Sequence, residues 1–370
     1  MKRVNNLYNK MVNYDEIYKV FNHIKSSTKN KREVLKFGYN INQNILDILS
    51  LIYNRRYSFG KYHIFLIKEP KYRLIMSENI KDKLVNHLFT KKCLSCLEDS
   101  LIDSNVATRC NKGSKEAYRL FIKYINTLMY NKKDIYVLKI DIKKYFYNIN
   151  HSKLLDMVSE KIKDKEVINF LKNILDSTNY QYINEDINRV VREEKEYVMG
   201  KNISNLDKVK LCSELDSIPL YKKGYGLPIG NYSSQILAVF YLNKVDHYIK
   251  EKLMCKYYVR YMDDLIILDN DKDRLLSIFK SISDKLIEYD LYVNKKSRIY
   301  NLKYGVNFLG YSFKVVDKLL IKYRSDTFKR ANKRIKCLLK YDLPMYYKSI
   351  ASYNGYFSMC NTCGKVIFTT

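Results

Sequence analysis

A chain of 370 residues, 46% of them hydrophobic and 29% charged, is long enough for a large core, and no run of 18 or more apolar residues suggests a membrane span. Its net charge of +28 favours a polyanionic partner, nucleic acid first. The N-terminus is basic but lacks the apolar stretch of a signal peptide, so a cytoplasmic location without a membrane partner is expected. In chain order, Ile41, Ile45, Ile48, Leu49 and Ile52 recur at the spacing of a buried helix face. Residues 62–76 are two β-rich runs about Glu69-Pro70-Lys71, a predicted hairpin. Cys93 and Cys96 form a CxxC pair, and the flanking Leu94 and Leu97 predict an amphipathic helix. With Cys360 and Cys363 they would make up a four-cysteine set, but the pairs lie far apart and neither flank resembles a zinc knuckle. Packing is the expected role.

Ala117, Phe121, Tyr124, Ile125 and Leu128 predict a helix begun near Gly113-Ser114. Residues 135–142 read as a strand, whose alternation puts Val137, Lys139 and Asp141 on one face. The charged stretch 177–222 has weak periodicity and is expected to be a surface insertion or hairpin lobe. Residues 233–252 read as helix. Residues 256–270 read as two β runs meeting at Asp263-Asp264, and Leu275, Phe279, Ile282 and Leu286 mark a further helix. Residues 314–340 carry ten Lys or Arg against two acids on a helical pattern. Strands in hairpins interleaved with helices argue for an α+β enzyme.

Chemistry concentrates at Tyr261-Met262-Asp263-Asp264. Adjacent carboxylates on a tight turn repel, and a bound cation offsets the repulsion. Hard Mg2+ takes oxygen ligands and leaves positions open for phosphates. An Asp pair at a hairpin tip with a third Asp from a neighbouring strand suits two-metal phosphoryl transfer.

The segment 261–264 between hydrophobic runs resembles the catalytic hairpin of reverse transcriptases. Residues 137–151, with Asp141, resemble their first catalytic motif, and 224–250 the loop and helix that contact template and nucleotide. Residues 291–299 resemble the lysine-bearing motif, 305–313 the primer-grip hairpin, and 67–76 with 103–117 the two fingers motifs. All stand in the family's order. The resemblance implies a right-hand polymerase with fingers, a palm built on an antiparallel sheet, and a helical thumb. Expected boundaries are 1–133 for the N-terminal segment and fingers, 134–312 for the palm with a fingers part and insertion at about 160–222, and 313–370 for the thumb.

It further implies that Asp141 and Asp263 bind two Mg2+ ions, with Asp264 ligating or tuning them more weakly and Mn2+ able to substitute, and that Lys296 acts near the leaving pyrophosphate. Lys295 is its open alternative. Lys71, Arg73 and Arg109 would meet the triphosphate or template, a task suited to guanidinium groups, and Lys112 the nucleic acid. Phe146 would clash with a ribose 2′-OH and select dNTPs, while Ile229, Gly230 and Gln235 would face the nucleotide. Tyr261 and the basic positions Lys329, Arg330, Lys333 and Arg334 would contact the primer–template backbone.

Many family members carry Gln where this chain has Ile229 and Pro where it has Gln235. The form here resembles bacterial enzymes of diversity-generating retroelements and related retron-like, group II intron-like or phage-defence types, and motivates an expectation of lowered fidelity. The expected partners are RNA template, DNA or RNA primer, dNTPs, and an accessory protein or structured RNA at the insertion. An RNA-binding maturase-like protein is the reading from another class; the intact aspartates argue against it. No endonuclease segment is expected after the thumb.

Overall fold

The computed structural model describes residues 3–28, 31–68 and 70–361, which fall into two compact units, each gathered from three stretches of chain. The first comprises 1–102, 142–247 and 285–292, the second 103–141, 248–284 and 293–370. Among the described residues, no helix is long and apolar enough to cross a membrane.

The first unit holds one hairpin, β1 (His63–Lys68) and β2 (Tyr72–Ser77), paired antiparallel as expected. Glu69 of its turn lies outside the described residues. Ile64, Leu74 and Met76 pack on Ile183 and Ile187 of the helix Gln181–Gly200. That helix pairs with Asn205–Asp216, so the expected insertion is a helical hairpin. Its first turns are core, which corrects the expectation of a surface lobe. Two isoleucines four residues apart bury a face that the surrounding charges mask in the sequence.

The helix Ile41–Tyr53 buries Ile45, Ile48 and Ile52 as its spacing requires. Tyr232–Tyr241 is buried nearly all round, from Ile236 to Tyr241, and so forms a central post rather than a surface helix. Around Cys93 the expected regular helix gives way to a π turn, Thr90–Leu94, and a 3-10 segment, Ser95–Ser100. Cys93, Leu94 and Leu97 are buried there, the packing role expected, and Cys93 Sγ faces Leu7 O at 3.7 Å. Cys363 lies outside the described residues.

The second unit is built on a four-stranded antiparallel sheet ordered β4-β5-β3-β6, where β3 is Tyr136–Asp141, β4 Tyr258–Tyr261, β5 Asp264–Asp269 and β6 Arg298–Asn301. A second sheet runs β7 (Val306–Phe308), β8 (Tyr311–Val315), β9 (Leu319–Tyr323). The helix Ser114–Met129 packs Ala117, Phe121 and Ile125 into a core with Val137, Ile266, Phe308 and Phe313. Phe121 meets the rings of Phe308 and Phe313 at 5.1 and 4.8 Å.

The basic stretch 314–340 is corrected in its first third. Residues 319–323 complete a strand, because Ile321 goes inward while Lys322 is exposed, and the helix begins only at Ser325, running to Tyr341. It packs on Leu343–Phe357 through Ile335, Tyr346 and Ile350.

Candidate active site

The hairpin β4–β5 closes in two residues. Tyr261 pairs with Asp264, leaving Met262 and Asp263 as the turn. Met262 sits at φ 56°, a left-handed conformation that costs a side-chain-bearing residue about 1–2 kcal/mol. The fully buried Arg260 holds this turn, its Nη1 donating to Met262 O at 2.9 Å. The Arg260 backbone is itself bound to the neighbouring segment: its N–H donates to Ser104 O at 3.0 Å, and Val106 N–H donates to Arg260 O at 3.2 Å. Tyr261 is half-buried against the core of the unit.

Antiparallel register then sets Asp141, the last residue of β3, directly opposite Asp264, the first of β5. Paired residues share a sheet face, so both carboxylates emerge on the same side. The backbone of Asp141 is fixed from the other side. Its N–H donates to Ser297 Oγ at 2.9 Å, and Asn294 N–H donates to its carbonyl at 2.7 Å. These bonds pin the loop that carries Lys296. Lys139, Asp141, Asp264, Lys296, Arg298 and Tyr300 line one cavity of about 340 Å³. Lys295 is exposed and does not line it, so of the two candidate lysines the fold brings Lys296 to the carboxylates. Arg298 Nε donates to Tyr300 Oη at 3.0 Å, and its guanidinium lies 5.0 Å from that ring's centroid.

The donors on offer are carboxylate oxygens, the set a hard divalent cation takes. Among the described residues no group of three or more His, Cys, Asp and Glu side chains is gathered closely enough to hold an ion. The opposed pair Asp141/Asp264 is therefore the part of the expected triad that the sheet itself builds, with Asp263 beside it on the turn. The charge next to Asp264 is Lys139, whose Nζ lies 3.5 Å from Oδ1. In chemical type, the residues fit a divalent ion.

Lys71, Arg73, Phe146, Ile229, Gly230 and Gln235 belong to the first unit, and its backbone joins three of the segments that carry them. Leu227 N–H donates to Phe146 O at 2.8 Å, and Met76 N–H of β2 donates to Ile229 O at 2.8 Å. The loop 224–231 thus bridges β2 and the Phe146 segment. Gly230, at φ 133°, passes so close to β2 that a Cβ would stand 2.5 Å from Met76 O. Phe146 and Ile229 are half-buried, whereas Lys71, Arg73 and Gln235 are exposed.

Arg109, Lys112 and the basic helix belong to the second unit. Arg109 Nη1 donates to Asn105 O at 3.0 Å, and Lys112 pairs with Asp103 at 3.4 Å. Lys329, Arg330, Lys333 and Arg334 are exposed, opposite the face that buries Ala331 and Ile335. Sequence reasoning assigns no task to Lys139 or Arg260. Alternation alone puts Lys139 on the Asp141 face. Arg260 is legible as a lone cation within the apolar run Tyr257–Met262.

Residues 67–313, more than half of the chain, match the family model described as reverse transcriptase (RNA-dependent DNA polymerase). The chain belongs to the reverse transcriptase family. With the family comes the α+β right-hand polymerase fold class expected from the sequence. A curated relative of this reverse transcriptase chain, the putative COX1/OXI3 intron 2 protein of Saccharomyces cerevisiae, is 27% identical over 202 residues, 48% of this chain and 24% of that protein. Among solved structures, apo telomerase from Candida tropicalis aligns with a TM-score of 0.47 and 17% identity, covering 74% of this chain and 50% of that one. Telomerase from Candida albicans, in complex with a TWJ fragment of telomeric RNA, aligns at 0.45 and 17%, covering 78% and 50%. The chain spans about a quarter of the curated relative and half of each telomerase chain.

Proposed function

We propose that this chain is an RNA-directed DNA polymerase that extends a DNA or RNA primer with dNTPs, with Asp141, Asp263 and Asp264 as its metal-binding carboxylates. The observation that carries the reading is the register of Asp141 opposite Asp264 beside a two-residue turn, within a chain of the reverse transcriptase family. Divalent ions, Mg2+ or Mn2+, would supply activation of the primer hydroxyl and charge stabilisation at the leaving pyrophosphate.

The chain's own residues supply the remainder. Ser297 and Asn294 hold the Asp141 backbone, so its carboxylate is presented at a fixed height on the sheet. Lys296, which lines the same cavity, is assigned the donation of charge or a proton to the departing phosphate. Phe146, anchored through its carbonyl to Leu227, is assigned to exclusion of the 2′-OH, and Ile229, Gly230 and Gln235 to the face of the incoming nucleotide. Lys71, Arg73, Arg109 and Lys112 are assigned to triphosphate and template. Tyr261, Lys329, Arg330, Lys333 and Arg334 are assigned to the primer–template backbone. Residues 1–133, 134–312 and 313–370 are proposed as fingers, palm and thumb, in a cytoplasmic enzyme of a diversity-generating-type retroelement.

Primer extension on poly(rA) with oligo(dT), dTTP and Mg2+ or Mn2+ tests the activity. Wild type should extend, and Asp263→Ala/Asp264→Ala should lose at least about a thousandfold, the scale of removing a principal electrostatic stabiliser. Extension by the double variant at the wild-type rate would overturn the assignment.

A further inference from the structure

Three cations share the carboxylate cavity, and Lys139 among them is paired with a carboxylate. Strand alternation carries Lys139 onto the face of Asp141, and register sets Arg298 of β6 directly beside it. Arg298 and Lys296 line the same cavity, and the ammonium of Lys139 meets Asp264 there. Its Nζ lies 3.5 Å from Asp264 Oδ1 and makes a long hydrogen bond, also 3.5 Å, to Asn307 O. Both side chains of the pair are partly exposed, at 25% and 33%. A partly exposed pair is weakly held and readily exchanged, and lysine's flexible stem lets the charge withdraw without moving the strand.

We propose that Lys139 is a built-in counterion for Asp264, a positioning residue that neutralises this carboxylate until a divalent ion arrives with the nucleotide's phosphates. Resting on the polymerase reading above, the inference assigns Lys139 control over when the carboxylates take up metal. A divalent ion approaching Asp264 alone must displace an ammonium and then remain beside it. An ion arriving with a triphosphate brings negative charge that accommodates the displaced ammonium. The carboxylates therefore bind metal weakly without nucleotide, and the gain on adding nucleotide is large.

Mn2+ titration followed by electron paramagnetic resonance, on the full chain with and without dTTP, tests this. Without nucleotide, Lys139→Met should bind Mn2+ about tenfold more tightly than wild type, since one like charge a few ångströms from the ion is gone. Lys139→Arg, which keeps the charge, should bind like wild type, and dTTP should raise affinity less in Lys139→Met. Lys139→Gln serves as a second neutral variant, and unfolding transitions in EDTA confirm that each variant is folded. Equal Mn2+ affinity in wild type and both neutral variants would overturn the counterion role. Should Asp263→Asn/Asp264→Asn bind Mn2+ as wild type does, the metal-site reading itself falls, a result distinct from failure of Lys139 alone.

Discussion

Burial, ahead of the nearby charge of Asp82, governs the carboxyl group of Glu78 and pushes it up to about 8. Asn86 Nδ2 donates to its Oε1 at 2.8 Å, while Asp82 takes hydrogen bonds from Tyr57, Gly60 and Asn79. Between 4.5 and about 8 the folded chain holds a proton at Glu78 that the unfolded chain has released, so stability falls as pH rises through that window. Glu78→Gln keeps a neutral group of the same shape. Thermal unfolding should therefore show a smaller loss of Tm from about pH 5 to about pH 8 in the variant than in wild type. At this scale the three aspartates are legible in the sequence because their chemistry is local and their spacing distinctive. The positions of Lys139 and Arg260 can be read from alternation and from the apolar run, but their roles cannot, because these depend on which strand lies alongside, and a charged residue in a strand reads equally well as solvated. Nothing in the local sequence says that Arg260 is fully buried or that it serves the carbonyl of Met262.

Among elements, the helical hairpin of residues 181–216 divides into two energetic regimes. Ile183 and Ile187 are fully buried against β1 and β2, whereas Leu206 and Val209 on the second helix are 81% and 68% exposed. Ile183→Ala or Ile187→Ala should each cost about 2–5 kcal/mol in chemical denaturation, by lost burial and the cavity left behind. Leu206→Ala and Val209→Ala should stay within about 0.5 kcal/mol. Deletions meant to probe a partner-binding role should therefore begin beyond the buried turns, or they will report unfolding instead. The helices at 41–53, 114–129 and 272–287 and the strands flanking Asp264 are legible because burial repeats at one clear period in each. The π turn at 90–94 and the strand at 319–323 are not, since hydrogen-bond pattern and sheet partnership leave no mark on a short window of sequence.

For the whole molecule, topology is the least legible property. β3 pairs with β5 and β6, more than a hundred residues further along, and each compact unit draws on three separate stretches. Pattern reasoning finds strands but not their distant neighbours, and the family resemblance implies an antiparallel palm sheet without giving its strand order. The net charge of +28 acts at this same scale. Binding of a primer–template duplex should weaken linearly in log–log plots against salt, and changing Lys329, Arg330, Lys333 and Arg334 to Ala should flatten the slope by roughly 0.7–0.9 for each phosphate no longer neutralised. Fluorescence anisotropy over a salt series measures this; an unchanged slope would remove that helix from the interface.

The two-residue closure between Tyr261 and Asp264 also limits how this chain can change over generations. Side chains on a strand alternate sides, so one residue added to or dropped from β5 beside the turn would bring Leu265 or Asp263 to the place Asp264 holds. Drift can respell the four letters at this tip, trading one side chain for another at graded cost. An insertion or deletion there acts instead like a frameshift in space, turning the acid away from its partner while leaving every residue of the motif present.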